Sequence, residues 1–378
     1  MTRLGVPDVA GPAAQNPLHR LKALGQSPWL DDIRRNWLID GSLPRLIAED
    51  GVSGVTSNPA ILATAIAEGS EYKPAIAALA RLQMSSEQRY EALVVQDICG
   101  AADLLLPAYS ASGGGDGYVS LEVSPLLAHD TERTVLEGER LWRLVARPNL
   151  MIKIPATVAG LAAIRRLTAV GINVNATLIF SVSRYLEVAD AYLSGLEDRL
   201  RTGATIEGLA SVASFFISRI DTHVDRLLAN IPGYEARTHR GRTAIACARL
   251  AYREYQLLVE GSRWGRLAAR GGQPQRLLWA STSTKDPAYR DVLYVDALIG
   301  ANTVNTMPLA TLLAYRDHGQ PIIRIDEDLA GCIALPQQLT RLGIDLQAVA
   351  QCLEEEGIAR FAKAYSELLA AVSTQTRR

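Results

Sequence analysis

Only five of the 39 basic residues in this 378-residue chain are lysines, and one of them, Lys153, stands inside the apolar run Leu150-Met151-Ile152-Lys153-Ile154-Pro155-Ala156-Thr157. Read as a strand, the run puts Met151 and Lys153 on one face and Ile152 and Ile154 on the other, with Pro155 to Thr157 ending it. A lysine in apolar surroundings can lose its proton and add to a carbonyl, which an arginine cannot do. The same segment also fits a snorkelling lysine or a buried ion pair. What surrounds Lys153 decides between these readings.

The segments that must position it repeat along the chain. Short β-type stretches are predicted at 27–32, 51–59, 118–123, 150–157, 172–180, 209–216, 276–281 and 301–307, most of them followed by helical patterns such as 86–106, 130–146, 158–170, 181–200 and 217–229. Strand followed by helix, eight times over, is the order of an α/β fold of the (β/α)₈ barrel type, whose sites lie at the C-terminal ends of the strands. Asp31, Asn58, Glu122, Lys153, Asn175 with Thr177, Ser214 and Ser281 all fall at or near such ends. Barrel interiors are normally filled by Val, Ile and Leu, so a polar ring there points to chemistry and turns the reading of Lys153 toward catalysis. Gly113-Gly114-Gly115 precedes a strand instead of opening a helix, which makes it a turn and no phosphate cradle. Asp32 is expected to cap the helix that follows it, as Asp130 caps the one at 130–146.

A net charge of −1, with acids and bases spread along the chain, gives no reason to expect nucleic acid or a membrane as partner. Cys99, Cys247, Cys332 and Cys352 form no C-x-x-C pair, and His129, His223 and His318 show no metal spacing and read as surface or capping residues. No cofactor or metal is expected. The start lacks the apolar stretch of a signal peptide and no run long enough to span a bilayer is seen, so a cytoplasmic protein is expected. The expected organisation is one barrel domain over 1–378, with a flexible N-terminus at 1–15 and added C-terminal helices at 320–378 packed on the barrel. The acidic run Glu354-Glu355-Glu356 reads as a solvated helix face.

Six segments carry a resemblance to the transaldolases, in particular their longer bacterial and plant-type subfamily: 29–32 (WLDD), 54–59 (GVTSNP), 119–123 (VSLEV), 151–157 (MIKIPAT), 171–181 (GINVNATLIFS) and 302–308 (NTVNTMP). By that resemblance Lys153 is the Schiff-base lysine that attacks a ketose carbonyl and holds a dihydroxyacetone unit as an enamine. Asp31 matches the carboxylate that takes the proton from the hydroxyl beside the breaking carbon–carbon bond. Glu122 and Thr177 match the pair that holds a water for proton transfer. Asn58, Asn175 and Ser214 match side chains that bind hydroxyls of the three-carbon unit, and Arg219 matches a phosphate-binding arginine. Ser281 and Lys285 lie in a loop that has a serine where the subfamily has a glycine.

The resemblance implies a cofactor-free transferase moving dihydroxyacetone from sedoheptulose 7-phosphate to glyceraldehyde 3-phosphate, in the pentose phosphate pathway. Its partners are then phosphorylated ketoses and aldoses, and the oligomeric state, monomer or homodimer, stays open. The rival within the superfamily is a fructose 6-phosphate aldolase-like lyase. Glu122 where those relatives have a glutamine, and Phe216 where they have a tyrosine, favour transfer. A sugar-phosphate-binding barrel without catalysis is the alternative from another class, and the complete set Lys153, Asp31, Glu122 and Thr177 argues against it.

Overall fold

The computed structural model describes residues 16–57, 65–66 and 69–374. Eight parallel strands close into a barrel: β1 (Gln26–Leu30), β2 (Gly54–Thr56), β3 (Tyr118–Glu122), β4 (Leu150–Pro155), β5 (Val174–Ile179), β6 (Ser211–Phe216), β7 (Arg276–Ala280) and β8 (Thr303–Met307), each hydrogen-bonded to the next in chain order and β8 to β1. All eight agree with the segments predicted from the sequence, to within a few residues at their ends. The expected flexible segment 1–15 and Asn58 lie outside the described residues.

Nearly every strand position is buried, as a sheet covered on one side by helices and on the other by its own interior requires. Register then fixes the site. Glu122 of β3 stands beside Lys153 of β4, which stands beside Asn175 of β5. Adjacent positions across a sheet point to the same face, so three polar side chains arrive together in one row.

The helices start where the strands stop. Thr157 and Ser181 accept backbone N–H bonds from Gly160 and Arg184, capping the helices Val158–Ala169 and Val182–Arg201. Asp130 caps Thr131–Val145 as the sequence predicts. Asp32 does not cap the helix Arg35–Ile39. Its carboxylate turns to Arg34 Nε at 2.7 Å, and the Arg35 N–H that a cap would satisfy donates to the Tyr72 hydroxyl at 3.2 Å.

The helix Ser86–Ala111 runs five residues past its expected end, through Pro107, which is exposed within it. By length and composition alone this helix could cross a membrane, contrary to the expectation from the sequence that no run is long enough to do so. Here its buried face, Leu93, Val94, Ile98, Ala101, Ala102 and Leu105, packs into the core.

At the N-terminal end of the barrel Asp116 gathers the strands. It accepts hydrogen bonds from Ser27 at 2.5 Å, Ser53 at 2.7 Å and the Trp29 indole at 2.8 Å. At the opposite end the chain returns late: Leu353, Phe361, Leu368 and Val372 of the last helix, Leu346–Thr374, belong to the same core cluster as the barrel.

Candidate active site

The C-terminal ends of the strands surround a cavity of about 480 Å³. Lys153, Asp31, Thr177, Ser214, Phe216, Arg219, Ser281 and Lys285, all singled out in the sequence, line it. They come from β4, the end of β1, β5, β6, the helix Ser218–Ala229 and the loop after β7. Glu122 and Asn175 lie just behind that wall.

Lys153 is 5% exposed, and its Nζ lies 3.2 Å from Glu122 Oε2 and donates to the Ser57 carbonyl at 3.2 Å. Burial pushes the Glu122 carboxyl above the ordinary carboxylate range, against the lowering pull of the Lys153 charge. Apart from that ion pair, neither Glu122 oxygen has a hydrogen-bond partner among the described residues, and the buried Thr177 hydroxyl has none either. Unsatisfied buried groups are costly, and Glu122 and Thr177, on the two strands that flank the lysine strand, suit the capture of a small polar molecule.

Asp31 follows β1, its N–H extending the ladder to the Met307 carbonyl at 2.8 Å. Its Oδ1 accepts from Thr56 at 2.9 Å, and Thr56 is itself 3.0 Å from the Thr306 hydroxyl. Desolvation raises its carboxyl above the usual range, and Lys153, Thr56, Arg219 and Lys285 pull it down. Asn175 is tied down on both sides, donating to Ser120 at 2.9 Å and accepting from Ser214 at 2.7 Å, which fixes the Ser214 hydroxyl at the cavity floor.

Cations collect on one side of the mouth. Arg219, packed over the Phe216 ring at 5.4 Å, has no ion-pair partner among the described residues, and Arg226, Arg360 and Lys285 share the cavity with it. Ser281 adopts φ 56°, the left-handed region that glycine enters freely, and is held there by Ser218, whose N–H donates to its carbonyl at 3.0 Å and whose hydroxyl lies 2.9 Å from its own. A serine therefore follows a backbone path suited to glycine.

Thr56, Thr306, His223, Arg226, Glu356, Arg360 and Phe361 also line the cavity and were not picked from the sequence as site residues; His223, read there as a surface or capping residue, faces the cavity instead. The last three come from the helix Leu346–Thr374, where Phe361 places its ring 5.6 Å from Lys153 Nζ. Glu354-Glu355-Glu356 is accordingly not one solvated face. Glu355 is exposed, Glu354 lies 3.4 Å from Arg184, and Glu356 turns into the cavity.

A lysine amine against a carboxylate at the mouth of a closed parallel barrel, with a second carboxylate and a bank of cations across from it, defines a (β/α)₈-barrel enzyme centred on a lysine. The chain belongs to the transaldolase/fructose-6-phosphate aldolase family, whose model matches residues 28–372. It is 50% identical over 349 residues to a transaldolase of Thiobacillus denitrificans, covering 92% of this chain and 97% of the relative. A transaldolase of Thermobifida fusca is 49% identical over 363 residues, 95% of this chain and 98% of the relative. Transaldolase 1 of Streptomyces avermitilis is 48% identical over 363 residues, 95% and 96% respectively.

Proposed function

We propose that this chain is a transaldolase that carries a dihydroxyacetone unit from sedoheptulose 7-phosphate to glyceraldehyde 3-phosphate, releasing erythrose 4-phosphate and forming fructose 6-phosphate. The observation that carries the reading is the buried Lys153 amine 3.2 Å from Glu122, with Asp31 lining the same cavity.

Glu122, on the same face as Lys153, takes the ammonium proton and leaves a neutral amine, which adds to the ketose C2 carbonyl. The carbinolamine loses its hydroxyl as water when Glu122 returns a proton through a water shared with Thr177, leaving a protonated Schiff base. Asp31 as carboxylate then takes the proton of the C4 hydroxyl. The C3–C4 bond breaks, its electrons run into the imine to give an enamine, and the aldose leaves. The acceptor aldehyde is attacked by the enamine carbon while Asp31 gives its proton to the new alkoxide, and water releases the ketose from Lys153. Ser214, positioned by Asn175, and Asn58 bind hydroxyls of the retained unit. Arg219 and Lys285 receive the phosphate, with Ser281 shaping the loop between them and Phe216 backing the arginine.

Organisation follows from the same reading. The helices Leu329–Arg341 and Leu346–Thr374 form part of a single barrel domain, and the second supplies part of its site, as the cavity positions of Glu356, Arg360 and Phe361 support. A cytoplasmic location suits an enzyme of phosphorylated sugars.

The test is borohydride reduction in the presence of fructose 6-phosphate, followed by peptide mass measurement. A dihydroxyacetone-sized adduct on Lys153, absent in Lys153→Ala, is expected. An adduct elsewhere, or one that persists in Lys153→Ala, overturns the assignment. Release of free dihydroxyacetone at the same rate with and without an acceptor aldose would make the chain a lyase instead.

A further inference from the structure

The helix Ser218–Ala229 and the last helix meet at the cation-lined side of the cavity, and three ligand-type side chains converge there. A His223 ring nitrogen, Cys352 Sγ and a Glu356 carboxylate oxygen all lie within 4.8 Å of one another. Cys352 and Glu356 are one turn apart, so they share a helix face, and the thiol already donates to Glu356 Oε1 at 3.6 Å. All three are partly buried; His223 and Glu356 line the cavity and Cys352 does not. We propose that His223, Cys352 and Glu356 form a site for a thiophilic divalent cation of zinc type, and that filling it strengthens the hold on the phosphorylated end of the substrate.

Sequence spacing conceals such a site, because the imidazole meets the other two ligands only through tertiary packing. The chemistry balances simply. The cation takes the place of the thiol proton, which leaves to solvent, so thiolate and carboxylate together match the charge of the ion while neutral imidazole completes three ligands. In tetrahedral zinc the ligand atoms stand roughly 3.4–3.8 Å apart, so the present spacing closes by roughly an ångström through side-chain rotation. Because His223 and Glu356 line the cavity, the fourth position is open to it, where a water or a substrate phosphate oxygen can occupy it.

Binding also redirects the neighbours. Glu356 now holds Arg360 at 3.1 Å, and Arg226 lies 3.5 Å from His223 Nδ1. A metal on Glu356 frees Arg360 and adds a positive ion among arginines, so the cation binds reversibly and more weakly than in a closed structural site.

Cobalt(II) tests the site directly in the intact chain. One equivalent is expected to give a thiolate-to-cobalt charge-transfer band that Cys352→Ser abolishes, that zinc displaces, and that is independent of whether the sugar-phosphate reading holds. The activity arm does rest on that reading: zinc is expected to lower the apparent KM for phosphosugar severalfold with kcat little changed, reversibly by chelator, and Cys352→Ser is expected to be insensitive while melting like the parent. Absence of the band, or a band undiminished in Cys352→Ser, overturns the site. A band lost in Cys352→Ser without any lowering of KM by zinc overturns the coupling to phosphate.

Discussion

Asp31 and Glu122 are both carboxyls that burial pushes upward, yet their partners differ and so do their uses. Glu122 sits against the amine, whereas Asp31 sits across the cavity on Thr56 and must be ionised to accept a proton. Its raised pKa puts the acidic limb of kcat/KM above the ordinary carboxylate range, with activity rising as pH rises through it. Asp31→Asn is expected to lower kcat by about 10²–10⁴-fold and to remove that limb, while the borohydride-trapped adduct on Lys153 still forms. A pH–rate profile of the variant that keeps the limb would take Asp31 out of this role. Lys153, Asp31, Glu122 and Thr177 were legible in the sequence because a polar side chain in or just after an apolar strand has few structural explanations. Phe361 was not, since an aromatic on a helix reads as core, and its ring does enter the core cluster while facing the amine.

At the scale of elements, two glycines set how closely neighbours approach. Gly54 of β2 lies against the Trp29 ring of β1, where an added Cβ would come within 2.3 Å of the ring, and the ring is pinned by its bond to Asp116. Gly54→Ala is expected to destabilise the fold by about 2–3 kcal/mol, read from the midpoint of urea unfolding. Gly357 does the same for the last helix. A Cβ there would meet Leu178 at 2.9 Å, and Leu178 is a buried non-glycine residue held at φ 61° where the β5–β6 register shifts. Gly357→Val is expected to lift the helix from β5, lowering kcat/KM about tenfold or more while most of the far-ultraviolet circular dichroism remains; unchanged kinetics would detach the helix from the site. Strand order was readable because each strand is a short apolar run bounded by turns. The seating of the last helix was not, because it depends on a bulge that no local pattern announces, and the Asp32 cap expected from the sequence does not form because a nearby arginine takes its carboxylate.

For the whole molecule, stability carries a pH signature away from the active site. Burial pushes the Asp221 carboxyl up to about 7, against bonds donated to it by the Ala244 N–H and the Tyr294 hydroxyl, and Asp32 is pushed up to about 6. Between the unfolded value near 4 and those native values the folded state holds protons that the unfolded chain has released. Stability therefore falls as pH rises through that window, by about 1.4 kcal/mol per unit for each such proton, and levels off above it. Denaturant unfolding from about pH 5 to about pH 8 is expected to show the decline, with Asp221→Asn flattening it and exceeding the parent in stability above pH 7; an unaltered slope in the variant would assign it to other groups. The barrel itself was legible as a whole, since the rule that sites gather at strand ends turned separate polar residues into one ring, of which all but Asn58 lie among the described residues. The position of Phe361 has a further consequence during synthesis. Lys153 leaves the ribosome more than half a chain length before the ring that covers it, an interval on the order of tens of seconds at ordinary translation rates. The reactive amine is thus made early and enclosed last, so an unfinished chain carries the nucleophile without the cover that completes its pocket.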